Sequence, residues 1–126
     1  MINSRQTLLI ASFCGILAVG LGAFGAHALK NLLIENNRVE TFELAVRYHF
    51  YHTLALLAIS MLMDRFTSTW LAKSALCILA GIILFSGSLY FLALTNNTSV
   101  AYITPVGGIF LIAGWGFLFL SALKKP

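Results

Sequence analysis

The sequence predicts an all-α integral membrane protein, a four-helix up-down bundle forming a single transmembrane domain over residues 1–126. Three observations predict it. The chain is 60% hydrophobic and 10% charged, whereas a soluble domain carries about 25% charged residues. Four apolar runs, about 8–29, 43–63, 71–94 and 100–123, are each near the roughly 20 residues that cross a hydrocarbon core. The runs are continuous rather than alternating, which excludes a β-barrel, and short connections make consecutive spans antiparallel neighbours.

The first run follows Arg5 and ends near Leu29. Arg5, an apolar stretch and Ala26-His27-Ala28 together also resemble a secretory signal with an A-x-A cleavage site. The run is longer than such a signal needs, and its small residues Ala11, Gly15, Ala18, Gly22 and Ala26 recur about once per helical turn. That spacing suits close helix packing in a membrane, so a retained span is expected. Gly20, Gly22 and Gly25 spell G-x-G-x-x-G. The dinucleotide fingerprint needs a strand before it and a βαβ unit around it. Neither is present, and packing glycines are the reading adopted.

Residues 30–41 form a polar connection in which Asn36-Asn37 is a turn signal. The second run grows out of a charged and aromatic stretch, Glu40 to His52, and ends near Met63. Asp64 to Thr69 connects it to the third run, with Trp70 as an interfacial anchor. The third run contains Ser86-Gly87-Ser88 and ends at the uncharged turn Thr95 to Ser99. Asn96 and Asn97 each match the glycosylation sequon formally, in a turn too close to the membrane for use. The fourth run begins with Thr104-Pro105, where proline is tolerated in a first helical turn and Thr104 is the expected N-cap.

The net charge of +4 comes from scattered basic residues, not from a Lys/Arg stripe interleaved with aromatics, so nucleic-acid binding is not expected. With four spans, Arg5, Arg65, Lys73, Lys124 and Lys125 share one side, and Lys30, Arg38 and Arg47 share the other. The positive-inside rule then puts both termini in the cytoplasm. Cys14 and Cys77 both fall in apolar runs and read as small buried hydrophobes.

Placing the spans gathers polar groups at a common depth. His27, Arg47, Tyr48, His49, Tyr51, His52, Ser86, Ser88, Tyr90 and Thr104 all fall in the outer half, on all four spans. The inner half offers only Ser12, Cys14, Ser60, Ser74 and Cys77. Ionisable groups in a span are costly and usually have partners or a job. Arg47 can snorkel to the interface beside Glu43 at i, i+4. For His52 the ordinary role is a buried hydrogen bond to Ser86, Ser88 or Thr104. Two sharper roles compete. One is a metal or proton site from His27, His49 and His52. The other is a small ligand or lipid head group held by Arg47 and the serines. No carboxylate is placed to orient a histidine base beside a serine, so no enzymatic activity and no cofactor are expected.

The segments Gly22 to His27, Tyr48 to His52, Phe85 to Tyr90, Ile103 to Gly108, and Gly114-Trp115 occur in the order and over the extent found in one family. On them the chain resembles domain-of-unknown-function family 423, small bacterial inner-membrane proteins similar to eukaryotic transmembrane protein 256. The resemblance implies a multi-span membrane protein without an established activity. It also implies glutamine at the position of His49, which weakens a two-histidine ligand set and leaves His27 and His52. The expected function is a membrane-stabilising or binding scaffold. The runner-up is a minimal transporter or channel for protons, metal ions or a small solute. The expected partners are the lipid bilayer and either a second copy of the chain or another membrane protein.

Overall fold

Apolar runs of this length leave the backbone to satisfy its own hydrogen bonds, and the protein does so as helix. The computed structural model describes residues 1–124; Lys125, counted above among the basic residues that set orientation, lies outside the described residues, as does Pro126. Among the described residues there is no strand. The helices are α1 (Ser4–Ala26), α2 (Lys30–Glu35), α3 (Val39–Met63), α4 (Thr69–Gly81), α5 (Gly87–Thr95) and α6 (Ile103–Leu123). A π turn, Ile82–Ser86, joins α4 to α5 without interruption, and a 3-10 turn, Thr98–Val100, precedes α6.

Among the described residues, three stretches are long and apolar enough to cross a membrane: Ser4–Ala26, Thr69–Thr95 and Thr98–Leu123. Helix α3 has the length, at 25 residues. Its first half carries Glu40, Glu43, Arg47, Tyr48, His49, Tyr51 and His52, and these lower its hydropathy below that of the other three.

The helix ends differ from the apolar runs for local reasons. α1 starts four residues before residue 8 because Asn3 and Gln6 form a capping box: Gln6 N donates to Asn3 Oδ1 at 2.9 Å, and Asn3 N donates to Gln6 Oε1 at 3.1 Å. α1 ends at Ala26, three residues before the expected Leu29, where Leu29 N turns back to Phe24 O at 2.8 Å. The connection that follows was expected to be a polar loop, but it contains α2. Leu33 of α2 is buried against Phe42 and Ala93, and that apolar contact sustains the short helix. The expected turn at Asn36-Asn37 is present, with Asn37 in the left-handed region at φ 54°. Thr104 is not the N-cap of α6; that position is Tyr102, with no side-chain cap bond.

Side-chain contacts fix how the helices lie. Thr7 Oγ1 near the start of α1 lies 3.4 Å from Met63 Sδ at the end of α3, while Gly25 near the end of α1 faces the ring of Phe42 near the start of α3. These two helices therefore run in opposite directions. The same holds for the second pair, where Ser74 on α4 meets Gly114 and the π turn meets Gly107 on α6. Small residues let both seams close. Ala11 and Ala18 are buried between α1 and α3. A Cβ on Gly107 would lie 2.7 Å from Phe85 Cα, so only glycine allows that backbone approach.

Two apolar cores result, and they lie at different heights along the same helices. One gathers Ala11, Cys14, Leu56, Ile59, Leu71, Ala75, Ile78 and Ile82 toward the end marked by residues 64–68. The other gathers Leu33, Phe42 and Ala93 at the α2 end. Between them, along α3 and along the π turn with α5, lie the buried polar residues His49, His52, Thr53, Ser86 and Ser88. Outside, Ile16 and Ile112 are 69% and 73% exposed. Apolar surface on that scale calls for an apolar solvent around the helices.

Candidate functional site: a polar band between two apolar cores

His52 lies 13 residues into α3, and Trp115 lies 12 residues into α6. At 1.5 Å per residue the two reach about the same depth, roughly 18–20 Å from their helix starts. The Trp115 indole N–H donates to His52 Nε2 at 3.1 Å, and His52 Nδ1 lies 2.7 Å from the Tyr48 carbonyl oxygen. An indole nitrogen can only donate and a carbonyl oxygen can only accept. Nε2 is therefore the bare nitrogen and Nδ1 carries the proton: His52 is a neutral imidazole of defined tautomer with both ring nitrogens in use. Tyr48 stacks on the same ring at 5.8 Å, and Phe85 of the π turn stacks on Tyr48 at 4.5 Å.

His49 sits one turn nearer the α2 end and is only 4% exposed. Its Nδ1 shares a 2.9 Å hydrogen bond with the Tyr90 hydroxyl on α5. Tyr90 in turn packs edge-on against Phe42 at 5.2 Å. His49 thus ties α3 to α5 and His52 ties α3 to α6. The two histidines face different neighbours despite their i, i+3 spacing.

The serines complete the band. Ser86 closes the π turn and donates to Ala45 O on α3 at 2.8 Å. A π turn is an i→i+5 bulge inside an α-helix, and Ser86 at its end meets α3 through the bond to Ala45 O. Ser88 donates to Phe85 O at 2.9 Å and lies 2.6 Å from Thr104 Oγ1. With the Ser88 proton on Phe85 O, Thr104 is the donor in the second bond.

Ser86, Ser88, Tyr90, Tyr48, His49, His52 and Thr104 are joined within this band. His27, Arg47 and Tyr51 are not. His27 lies exposed in the turn after α1, and Tyr51 is 57% exposed. Arg47 is exposed and lines, with Glu43, Phe42 and Gly25, a groove of about 250 Å³ between α1 and α3. Arg47 and the serines therefore do not share one vestibule. Among the described residues, no group of three or more His, Cys, Asp or Glu side chains is placed to hold a metal ion.

The partner expected for His52 was Ser86, Ser88 or Thr104; the structure pairs it with Trp115. Trp115 stood in the sequence only as part of a Gly-Trp pair. The signal that finds it is depth, because an indole N–H twelve residues into an apolar helix needs an acceptor at its own level. The carbonyls of Ala45 and Phe85 carry no sequence signal at all. Chemically, Ser86, Ser88 and His52 spend polar atoms on the carbonyls of Ala45, Phe85 and Tyr48, Thr104 bonds Ser88, Trp115 bonds His52, and His49 is held through Nδ1 by Tyr90.

Comparison with known proteins finds membrane-protein relatives. A family model described as "Protein of unknown function (DUF423)" matches residues 21–108. The chain is similar to the UPF0382 inner membrane protein YgdD of Escherichia coli K12, with 39% identity over 124 residues, 97% of this chain and 92% of that protein. It is similar to the UPF0382 membrane protein YwdK of Bacillus subtilis, with 37% identity over 118 residues, 93% of this chain and 95% of that protein. A UPF0382 membrane protein of Staphylococcus epidermidis is 39% identical over 117 residues, covering 93% and 94%. These names place the relatives in a membrane and state no activity. No solved structure matches the chain.

Proposed function

The chain belongs to the DUF423 family, and on that premise we propose that it is a four-span, non-enzymatic inner-membrane protein that acts as a stabilising or binding scaffold, with its polar band serving as the tie between helices. The observation that carries this reading is His52. Both of its nitrogens are committed, one to Tyr48 O and one to Trp115. A ring so held has no lone pair for a metal and no free nitrogen to relay a proton.

The fourth span is α3. Its buried face is spent on partners, and its charged residues Glu40, Glu43 and Arg47 are exposed within the first three turns, where an arginine can reach the interface. Both termini lie in the cytoplasm on this reading, because Arg5, Arg65, Lys73 and Lys124 gather at the 64–68 end while Lys30, Arg38 and Arg47 lie toward the α2 end. The core below the band supports a scaffold over a conduit: it is Ala11, Cys14, Leu56, Ile59, Ala75 and Ile78, and the buried Ser60 and Ser74 there donate to Leu57 O and Gly114 O. The partners on this account are lipid around the helices and a second copy or another membrane protein.

Flux through reconstituted vesicles tests the reading. The protein and its His52→Ala variant should both pass protons and divalent metal ions no faster than empty vesicles. A flux that the wild type carries and His52→Ala abolishes would replace the scaffold by a minimal transporter. Reporter fusions should place both termini in the cytoplasm.

A further inference from the structure

The end of the molecule remote from α2 carries a groove that meets the polar band at Trp115. The last turns of α3 and α6 stand apart and leave a groove of about 690 Å³. Leu62, Leu71, Leu118 and Phe119 give it apolar walls, and the half-exposed Trp115 ring forms its deep end. A second cavity of about 350 Å³ opens beside it and shares Phe66, Ser121 and Lys124 with it. The remaining walls of that mouth are Arg65, Thr67, Ser68 and Thr69. The mouth therefore offers two cations and several hydroxyls, and no acidic residue lines either cavity.

We infer that this groove is a binding site for a single phospholipid with an anionic head group. Its acyl chain lies against Leu62, Leu118 and Phe119, and its phosphate lies between Arg65 and Lys124. The inference rests on the helices spanning a membrane, and it holds for either orientation. Three features select the occupant. The volume is within the roughly 300–1,000 Å³ of small-molecule sites, whose walls are mostly apolar with a few placed polar groups. The apolar and basic parts are stacked along the helix direction, in the order of chain and head group across a leaflet. Basic pockets between spanning helices are suited to anionic head groups by charge. Lys73 and Lys124 also lie over the Trp70 ring, at 4.4 and 5.4 Å from its centroid. That anchors a positive field beside the mouth.

Trp115 reports on occupancy because its ring lines the groove. The experiment uses the full-length protein in phosphatidylcholine nanodiscs, with phosphatidylglycerol or further phosphatidylcholine added, each carrying brominated acyl chains. Quenching of Trp115 is read in a Trp70→Phe background, which removes the second indole and keeps an aromatic face under Lys73 and Lys124. A basic residue near an anionic surface is worth about fivefold in binding. Phosphatidylglycerol should therefore quench at concentrations at least about fivefold lower than phosphatidylcholine. Arg65→Gln with Lys124→Gln should bring the two lipids within about twofold. Lys30→Gln, at the other end, should change nothing. Ala122→Phe fills the groove and keeps both cations, and it should abolish quenching by either lipid.

Equal quenching by both lipids in the wild type would overturn the inference, leaving an unselective lipid-facing groove. Displacement by inorganic phosphate irrespective of acyl chain would also overturn it, as would a concentration-dependent dimer that protects Trp115. Failure of the spanning premise shows separately, as a wild-type protein that does not enter nanodiscs at all.

Discussion

Replacing Trp115 by Phe removes one donor and leaves most of a ring. His52 is only 6% exposed, so its Nε2 loses its one donor when the indole N–H, at 3.1 Å, is gone. Hydrogen bonds between membrane helices are worth about 0.6 kcal/mol on average and up to about 1.7 kcal/mol. This one sits near the top of that range, because one partner is buried and the alternative acceptor state has no donor. Loss of ring area adds less, since Trp115 is already 49% exposed. We expect Trp115→Phe to destabilise the fold by about 1–2 kcal/mol. The bond is isolated by a double-mutant cycle with His52→Leu, measured by reversible unfolding in bicelles. The cycle should return a coupling of about 1 kcal/mol or more. Single-mutant effects that add within about 0.3–0.5 kcal/mol, as they do for independent sites, would refute the pairing of α3 with α6 through these two side chains.

Gly107→Ala should cost about 3 kcal/mol, because its Cβ would meet the backbone of Phe85. Gly116→Ala on the same helix, where a Cβ meets nothing within 4 Å, should be neutral or stabilising by up to about 1 kcal/mol; melting temperatures of the pair check this. Ser86→Ala loses the bond to Ala45 O and should cost about 0.6 kcal/mol, read by the same bicelle unfolding. Asn36→Ala removes the amide that donates to Ala93 O at 3.0 Å and Leu94 O at 3.3 Å. Global stability should fall by about 1 kcal/mol or less, while hydrogen exchange should quicken selectively in α2 and at the end of α5.

The apolar runs carried most of the architecture into view. Continuous stretches of about 20 residues must become helix in an apolar solvent, and polar residues at matching distances from the helix starts include the seven of the band together with His27, Arg47 and Tyr51, which lie exposed outside it. What stayed hidden depends on azimuth. His49 and His52 looked like a shared ligand pair on α3, yet one turns to Tyr90 and the other to Trp115, because α5 and α6 lie on different sides of α3. The π turn was hidden as well. It exists where Gly107 admits the backbone of Leu84 and Phe85, and one chain's sequence does not show which two glycine-rich segments will meet. α2 was obscured by the Asn36-Asn37 turn that follows it, although Leu29 and Leu33 stand at the i, i+4 spacing of a short apolar face.

The central claim is that His52 ties α3 to α6 as a neutral ring bonded on both nitrogens. Nitrogen-15 NMR of histidine-labelled protein in bilayers tests it most directly, with His52 assigned by its loss in His52→Leu. The account predicts a proton on Nδ1, a bare Nε2 in contact with the Trp115 indole proton, and slow exchange with water. A proton on Nε2, or a ring in rapid exchange with water and without contact to Trp115, would contradict it.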